Sequence, residues 1–194
     1  MATGKSSPQG GAPASLSLRL VLGFYGGMGA LALAWRLGVD GVLPWAEGPK
    51  GAVLSLPVRA AAGLATGAML VVASRAWTAR TEAGRALAAE LGRLLGPLSA
   101  GRAVALALAS GLAEEAFFRG ALQPRVGFVA ATLLFGAAHF VPTPQLRSWA
   151  LFALAAGAAF GALFSATGDL LAPVLAHALV NGLNLRWLGE RTAS

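Results

Sequence analysis

Residues 111–120 read GLAEEAFFRG and place two adjacent carboxylates and an arginine inside a long apolar segment, residues 103–122. An ionisable group at bilayer depth costs about 2.5–3.5 kcal/mol on insertion scales, so such groups are rare there and usually functional. On a helix, Glu115 and Arg119 lie four residues apart on one face and can neutralise each other. Glu114 points about 100° away and has no local partner. An unpaired carboxylate among apolar neighbours suits proton transfer at neutral pH, so Glu114 is the candidate for chemistry.

The composition indicates a polytopic membrane protein. Of the 194 residues, 56% are hydrophobic and 12% are charged, with a mean hydropathy of +0.67; in soluble proteins about 25% are charged. A net charge of +7 suggests nucleic acid in a soluble chain, but here the arginines fall between apolar runs, as topology anchors facing anionic lipid do. We therefore expect membrane lipid as a partner and no nucleic acid. The absence of cysteine from the sequence excludes a thiol nucleophile and a thiolate metal site within it.

Apolar runs predict an all-α bundle of about six transmembrane helices, over residues 18–39, 52–76, 103–122, 126–140, 149–166 and 170–188. Pro57 interrupts the second run, where we expect a kink. A turn at residues 123–125 separates the third run from the fourth. Gly157 and Gly161 are four residues apart, a spacing that lets neighbouring helices approach closely.

A basic segment joins the second and third runs. Its leucines recur at helical spacing between arginines, which predicts an amphipathic helix on the membrane surface; they are Leu87, Leu91, Leu94 and Leu95. Residues 1–17 are polar and rich in Gly, Pro and Ser, and are predicted to be a disordered cytoplasmic tail. Residues 18–102 then form two N-terminal spans with the basic amphipathic loop, and residues 103–194 form a four-helix catalytic core.

The distribution of basic residues predicts the orientation. With six spans both ends lie on one side of the membrane, and most arginines collect there, including those of the basic segment. Both termini are therefore expected to be cytoplasmic. The bias toward Ala, Gly, Leu and Arg over Lys indicates a bacterium of high genomic GC content, and hence the bacterial inner membrane.

Polar residues lie inside the predicted spans at compatible depths. Counting about 1.5 Å per helical residue from the outer turns puts Glu114, His139 and His177 toward the middle of a hydrocarbon core about 30 Å thick. His177 and Asn181 share one helix face. A single histidine in an apolar helix more often bonds a neighbouring helix than acts in catalysis. Because both histidines and both glutamates of the segment fall at such depths, we expect one site.

Three motifs carry a family resemblance. EEAFFR at residues 114–119 resembles the Glu-Glu-x-x-x-Arg motif of the CAAX-protease and bacteriocin-processing (CPBP, or Abi) intramembrane proteases. FGAAH at 135–139 resembles the Phe-x-x-x-His motif of that family, and HALVN at 177–181 resembles its His-x-x-x-Asn/Asp motif. Each motif is weak alone, but all three in order are specific. The resemblance covers residues 103–188.

The resemblance implies an endopeptidase that cuts a membrane-embedded polypeptide at or within the membrane. By motif position, Glu114 resembles the general base that activates water, and His139 the residue that holds or polarises it. His177 and Asn181 resemble the donors that stabilise the oxyanion of the tetrahedral intermediate. Glu115 and Arg119 also match motif positions, and the resemblance implies only a supporting role for them in the site. Amide hydrolysis needs these parts, and low dielectric strengthens each contact.

The residues of the three motifs leave metal dependence open. Glu114, His139 and His177 could form a catalytic zinc site with one open position. The sequence lacks His-Glu-x-x-His, the spacing that puts two ligands and a base on one helical turn. The family is often labelled metalloprotease, yet a glutamate-based mechanism suits these residues equally well. We expect no cofactor, with zinc as the alternative.

Within the family, a small member of high-GC composition resembles the myxosortase group, which is thought to process proteins carrying a C-terminal anchor of an apolar helix followed by basic residues. This likeness predicts processing of the C-terminal region of membrane-anchored or surface-sorted proteins.

Two other functions fit the same residues. A transporter or channel subunit would use the buried carboxylate and histidines as an ion relay, so substitution of Glu114 would abolish flux. The lack of an inverted repeat is unusual for a transporter. A non-enzymatic peptide-binding immunity protein would use the polar cluster for packing, so Glu114→Gln would be silent.

Overall fold

The computed structural model describes residues 17–43 and 54–192, which are mainly helical and contain no strand. The predicted all-α class is therefore confirmed. Two of the helices continue into π-helical turns, Arg36–Asp40 after α1 and Ala116–Leu122 after α4. The helices are α1 (Leu18–Trp35), α2 (Leu56–Arg80), α3 (Glu82–Leu95), α4 (Ala100–Glu115), α5 (Gln123–Ala138), α6 (Arg147–Thr167) and α7 (Leu171–Thr192).

Four helical stretches in the described part of the chain are long and apolar enough to cross a membrane. They are Leu18–Asp40, Leu56–Arg80, Ala100–Ala138 and Arg147–Thr167. Six spans were predicted. The predicted sixth forms as α7 but is not among these four stretches. The predicted third and fourth both lie in Ala100–Ala138, which a non-helical residue, Gly127, divides. The chain is an integral membrane protein, and α7 lies among helices that are more apolar.

The chain reverses at Gly127, not at the predicted turn. Residues 123–125 are helical, and Gln123 is buried and donates to the carbonyl of Gly161 at 3.1 Å. Gly127 has a φ of 82° and a ψ of 166°, a conformation that favours glycine. A straight helix would separate residues 114 and 139 by about 38 Å. Their side chains lie 3.7 Å apart, so the end of α5 folds back against α4.

Small residues let α7 pack closely along α2 and α4. A Cβ atom at Gly63 would lie 2.4 Å from the carbonyl oxygen of Ala172, and one at Gly67 would lie 2.9 Å from that of Ala176. On α4, a Cβ at Gly111 would lie 3.2 Å from the backbone nitrogen of Ala178. These contacts set the position of α7, which carries His177.

Gly157 and Gly161 allow the close approach predicted for them. A Cβ at Gly157 would lie 2.8 Å from the Phe135 ring, and one at Gly161 would lie 2.9 Å from Oε1 of Gln123. Their carbonyls also accept hydrogen bonds, from Arg119 at 2.8 Å and from Gln123 at 3.1 Å. Because glycine has no side chain that covers its backbone, the side chains of Arg119 and Gln123 can approach these two carbonyls of α6.

Pro57 begins a helix and does not bend one. It lies in the first turn of α2, where a missing N–H costs no hydrogen bond, so the predicted kink is wrong. Arg59, one turn beyond the start of α2, forms an ion pair with Asp169 in the turn before α7. This pair adds a polar contact to the α2–α7 interface.

The amphipathic helix is confirmed as α3. Thr81 caps it by accepting the backbone N–H of Gly84 at 3.0 Å, and the buried Leu87 lies on its inner face, with α2 and α7 as packing neighbours. Its place on the membrane surface stays a prediction. Residues 1–16 of the predicted tail lie outside the described residues, as do residues 44–53, and the division into three regions also stays a prediction.

We expect Gly63→Ala to lower the melting temperature of the chain in detergent, because the new Cβ would meet the Ala172 backbone. Overpacking of this kind costs about 1–3 kcal/mol. Circular dichroism during heating gives the measurement. Gly26→Ala is the matched control, because no atom lies within 4 Å of the Cβ it would add. Equal melting temperatures for Gly63→Ala and Gly26→Ala would contradict the close α2–α7 contact.

Candidate active site

The carboxylate of Glu114 lies close to both histidines of the chain. It is 6% exposed and lies near the end of α4, just before the helix widens into the π turn. Its Oε2 atom lies 3.7 Å from Nε2 of His139 and 4.0 Å from Nε2 of His177. These residues come from three helices, so the predicted convergence of the three side chains is found in the structure. Their chemical roles stay predictions at this point.

His139 presents an unprotonated nitrogen to Glu114 when it is neutral. It follows the last residue of α5, and its Nδ1 lies 2.8 Å from the carbonyl oxygen of Phe135. A carbonyl can only accept, so Nδ1 carries the hydrogen and the neutral ring has a lone pair at Nε2. The rings of Phe135 and Trp149 pack against the imidazole at centroid distances of 4.7 and 5.3 Å.

His177 is bonded to the second glutamate. The imidazole is buried on α7 and stacks on Phe160 with a centroid distance of 4.9 Å and an interplanar angle of 16°. Its Nδ1 lies 2.7 Å from Oε1 of Glu115. An ionised carboxylate can only accept, so Nδ1 donates and Nε2 is directed toward Glu114.

Glu115 and Arg119 form the buried pair that was predicted to support the site. Both side chains are at most 1% exposed, and Nη1 of Arg119 lies 3.2 Å from Oε1 of Glu115. The guanidinium also donates to the Gly157 carbonyl at 2.8 Å and lies 4.3 Å from the Phe135 ring centroid. Oε1 of Glu115 therefore accepts from Arg119 and from His177, and the pair connects α4 to α6 and α7.

Asn181 lies one turn beyond His177 and contacts α4 one turn before Glu114. Its Nδ2 donates to Oγ of Ser110 at 2.8 Å, and that hydroxyl donates to the Ala107 carbonyl at 3.2 Å. Sequence reasoning missed Ser110. Its four-residue spacing from Glu114 was a signal, because it puts the hydroxyl and the carboxylate on one face. A cavity of about 470 Å³ lies beside this pair and is lined largely by apolar side chains.

Residues 96–183 match the family model described as type II CAAX prenyl endopeptidase Rce1-like. The predicted family resemblance is confirmed for this segment. It contains all three motifs, from Glu114 to Asn181. The narrower myxosortase assignment is not confirmed by the match. α1 and α2 lie outside the Rce1-like segment.

A curated relative matches over part of its length. The uncharacterized protein YpbD of Bacillus subtilis (strain 168) is 36% identical to this chain over 80 residues, which are 40% of this chain and 41% of YpbD. The chain thus spans about two fifths of the length of that relative. No solved structure matches the chain significantly.

Tyr25 of α1 lines the cavity beside Asn181 and Ser110, although sequence reasoning did not single it out. The ring borders the 470 Å³ cavity and also a second cavity of about 730 Å³ on the other side, which Ala113 and Ala116 line. The available signal was weak: Tyr25 is the single tyrosine of the 194 residues and lies within an apolar run.

Glu114, His139 and His177 are the three residues that the sequence offered as ligands if a metal is present. Both histidines bond through Nδ1 to an acceptor, as metal-ligating histidines usually do. Zinc bonds of about 2.0–2.2 Å at tetrahedral angles put two ligand atoms about 3.4 Å apart. The separations of 3.7 and 4.0 Å from Glu114 are wider. Among the described residues no group of three or more His, Cys, Asp or Glu has the arrangement of a metal site.

We expect Arg119→Leu to destabilise the chain strongly, because it removes the guanidinium that pairs with the buried Glu115 carboxylate. Breaking a buried pair from one side costs about 3–5 kcal/mol. The double variant Glu115→Gln, Arg119→Leu should lose less stability than the sum of the two single variants. Thermal unfolding in detergent measures all three proteins.

Arg93→Leu is the control for this cycle, because Arg93 pairs with Glu90 on the outside of α3 with its side chain 58% exposed. Its melting temperature should match that of the wild type, since exposed pairs contribute little. Additive losses in the Glu115 and Arg119 variants would contradict a coupled buried pair.

Proposed function

We propose that this chain is a glutamate-dependent intramembrane endopeptidase that hydrolyses a peptide bond at or within the membrane. The observation that carries the proposal is the convergence of Oε2 of Glu114 and Nε2 of His139 at 3.7 Å in a largely buried setting. Both atoms are acceptors when Glu114 is ionised and His139 is neutral. One molecule that donates two hydrogen bonds can satisfy both acceptors at this distance, and water is such a molecule.

Glu114 is the general base in this mechanism. A water molecule held by Glu114 and His139 gives one proton to Oε2 as its oxygen attacks the scissile carbonyl carbon. Oε2 has no hydrogen-bond partner among the described residues, so it is available for that proton. Glu114 then passes the proton to the leaving nitrogen, which breaks the C–N bond and restores the carboxylate.

His177 and Asn181 are the oxyanion donors. Because Nδ1 of His177 already donates to Glu115, Nε2 can donate only if the ring is an imidazolium. The charges support this state: Glu114 and Glu115 together carry two negative charges, Arg119 carries one positive charge, and an imidazolium makes the buried cluster neutral. Asn181 gives one of its two amide hydrogens to Ser110 and retains the other for the oxyanion.

We propose that Glu114 and His139 activate water without a metal. The wide separations of Glu114 from the histidines support this choice over zinc ligation. If a divalent ion is present, Glu114, His139 and His177 hold it, and it supplies Lewis-acid polarisation of water or of the scissile carbonyl.

A purified chain depleted of divalent ions with 1,10-phenanthroline and EDTA should keep its peptidase rate, because no step uses a metal. Elemental analysis of the same sample should find zinc well below one ion per chain. Loss of activity on depletion, restored by one equivalent of zinc, would contradict the metal-free mechanism and assign the three side chains as ligands.

We further propose that the substrate is a membrane-anchored or surface-sorted polypeptide, cut in its C-terminal region, in the bacterial inner membrane with both termini of the chain cytoplasmic. The apolar cavity of about 470 Å³ supports an apolar substrate segment, because it reaches Asn181 and Ser110 beside the proposed oxyanion donors.

The test follows C-terminal fragments of membrane proteins by mass spectrometry in cells that express the wild type or Glu114→Gln at equal levels. Specific fragments should disappear in Glu114→Gln, because an amide cannot act as the base. Glu90→Gln is the matched control: it makes the same chemical change on the outside of α3 and should leave the fragments unchanged. If wild type and Glu114→Gln give the same fragments, the catalytic role fails and ion transport or peptide binding becomes the better function.

A further inference from the structure

Ser110 contacts the proposed oxyanion donor Asn181 from a buried position on α4. Its Oγ accepts a hydrogen bond from Nδ2 of Asn181 at 2.8 Å and donates one to the carbonyl of Ala107, on its own helix, at 3.2 Å. Small residues bring α4 and α7 together around this contact. A Cβ at Gly111 would lie 3.2 Å from the α7 backbone, and one at Gly182 would lie 3.6 Å from the Cβ of Ala107. The packing of the two helices therefore holds Ser110 against Asn181.

The hydroxyl of Ser110 decides which end of the Asn181 amide faces α4. A hydroxyl has one hydrogen, and that of Ser110 is directed at the Ala107 carbonyl, as is common for serine within a helix. Toward Asn181 the hydroxyl then offers only lone pairs. The nitrogen of the amide can donate to them, whereas its oxygen cannot. The amide therefore lies with Nδ2 against α4.

The same helix face carries the proposed base. Glu114 lies four residues after Ser110, which puts the two side chains on one face of α4, about 6 Å apart along the helix axis. Hydrolysis needs the base beside the attacking water and the donors beside the carbonyl oxygen of the same peptide bond. One turn of α4 thus sets the spacing between the base and the side chain that contacts the oxyanion donor.

We infer that Ser110 is a positioning residue for the proposed peptidase: its hydroxyl keeps Nδ2 of Asn181 against α4, so that the second amide hydrogen stays available to the oxyanion. This inference rests on the proposed function, because it assigns the group that orients a proposed oxyanion donor. Ser110→Ala removes the acceptor. The amide can then rotate about its last side-chain bond and present Oδ1 in place of Nδ2. An oxygen in that place repels the negative charge that an N–H group stabilises.

A measurement without substrate tests the contact itself. Asn181 and Asn184 are the two asparagines of the sequence, so full-length chain labelled with ¹⁵N in asparagine side chains gives two amide signals in lipid nanodiscs. Asn184→Ala removes one signal and so assigns the other to Asn181. Ser110→Ala should shift the Asn181 signal, because the amide loses its acceptor. An unchanged Asn181 signal in Ser110→Ala would overturn the inference, whatever the activity of the chain.

Ser165→Ala is the matched control. The Ser165 hydroxyl also donates to a carbonyl of its own helix, at 3.0 Å, and also accepts from a side-chain amide of another helix, that of Gln123, at 3.1 Å. It lies on α6 and has no hydrogen bond to the proposed catalytic residues. Ser165→Ala should therefore leave both asparagine signals in place and keep the wild-type kcat.

Ser110→Ala also tests the consequence for catalysis, and alanine preserves the helix. With the membrane protein whose fragment is lost in Glu114→Gln as substrate, kcat should fall about tenfold, the equivalent of one hydrogen bond. Asn181→Ala should lower kcat about a hundredfold or more, because it removes an oxyanion donor. KM should change little in both variants, since the oxyanion forms only during the reaction.

The double variant separates positioning from packing. Adding Ser110→Ala to Asn181→Ala should leave kcat at the value of Asn181→Ala, because no amide remains for the hydroxyl to orient. A further tenfold loss in the double variant, or wild-type kcat in either single variant, would overturn the inference but leave Glu114 as the proposed base. Activity retained in Glu114→Gln would instead overturn the proposed function.

Discussion

One carboxylate oxygen joins the helices of the site. Oε1 of Glu115 accepts from Arg119 at 3.2 Å and from His177 at 2.7 Å, and Arg119 continues to the Gly157 carbonyl. The junction is buried, so each charge needs its partner, and removing one group leaves the others without compensation. It also fixes the hydrogen on Nδ1 of His177, which decides that Nε2 faces Glu114. The two adjacent carboxylates therefore have different roles. Glu115 connects the helices and orients the His177 ring, whereas Oε2 of Glu114 has no hydrogen-bond partner among the described residues.

The second constraint is the reversal at Gly127. It converts a separation of 25 positions along the chain into contact between Glu114 and His139. Close packing of α6 through Gly157 and Gly161 then leaves space for Phe135 and Gln123, so the returning helix is held by shape and by backbone carbonyls together. The site thus depends on glycine in two ways: for a backbone conformation at the turn, and for close approach along α6.

Much of the site was predictable because ionisable side chains are conspicuous in apolar helices. Glu114, His139 and His177 were singled out as ionisable residues within apolar runs at compatible depths, and the Glu115–Arg119 pair from its spacing. Turns were harder to predict. Pro57 and Pro124 both lie in first helical turns, where proline is tolerated, whereas the reversal falls at a glycine with positive φ. The position of Tyr25 beside the cavity could not be predicted, because a tyrosine in an apolar run has no pattern that reveals which distant helix lies next to it. α7 is not among the four candidate spans. It carries polar residues, including His177 and Asn181 of the third motif, and these lower its mean hydropathy.

The most direct test of water activation by Glu114 is isotope transfer in proteoliposomes. Purified metal-depleted chain is incubated with its substrate in H₂¹⁸O, and the new C-terminal carboxylate is analysed by mass spectrometry in a single turnover. Wild type should introduce one ¹⁸O atom per bond cut, and Glu114→Gln should cut no bond. Equal ¹⁸O incorporation by the wild type and Glu114→Gln, or no cleavage by a folded wild type, would contradict the role of Glu114 as the base.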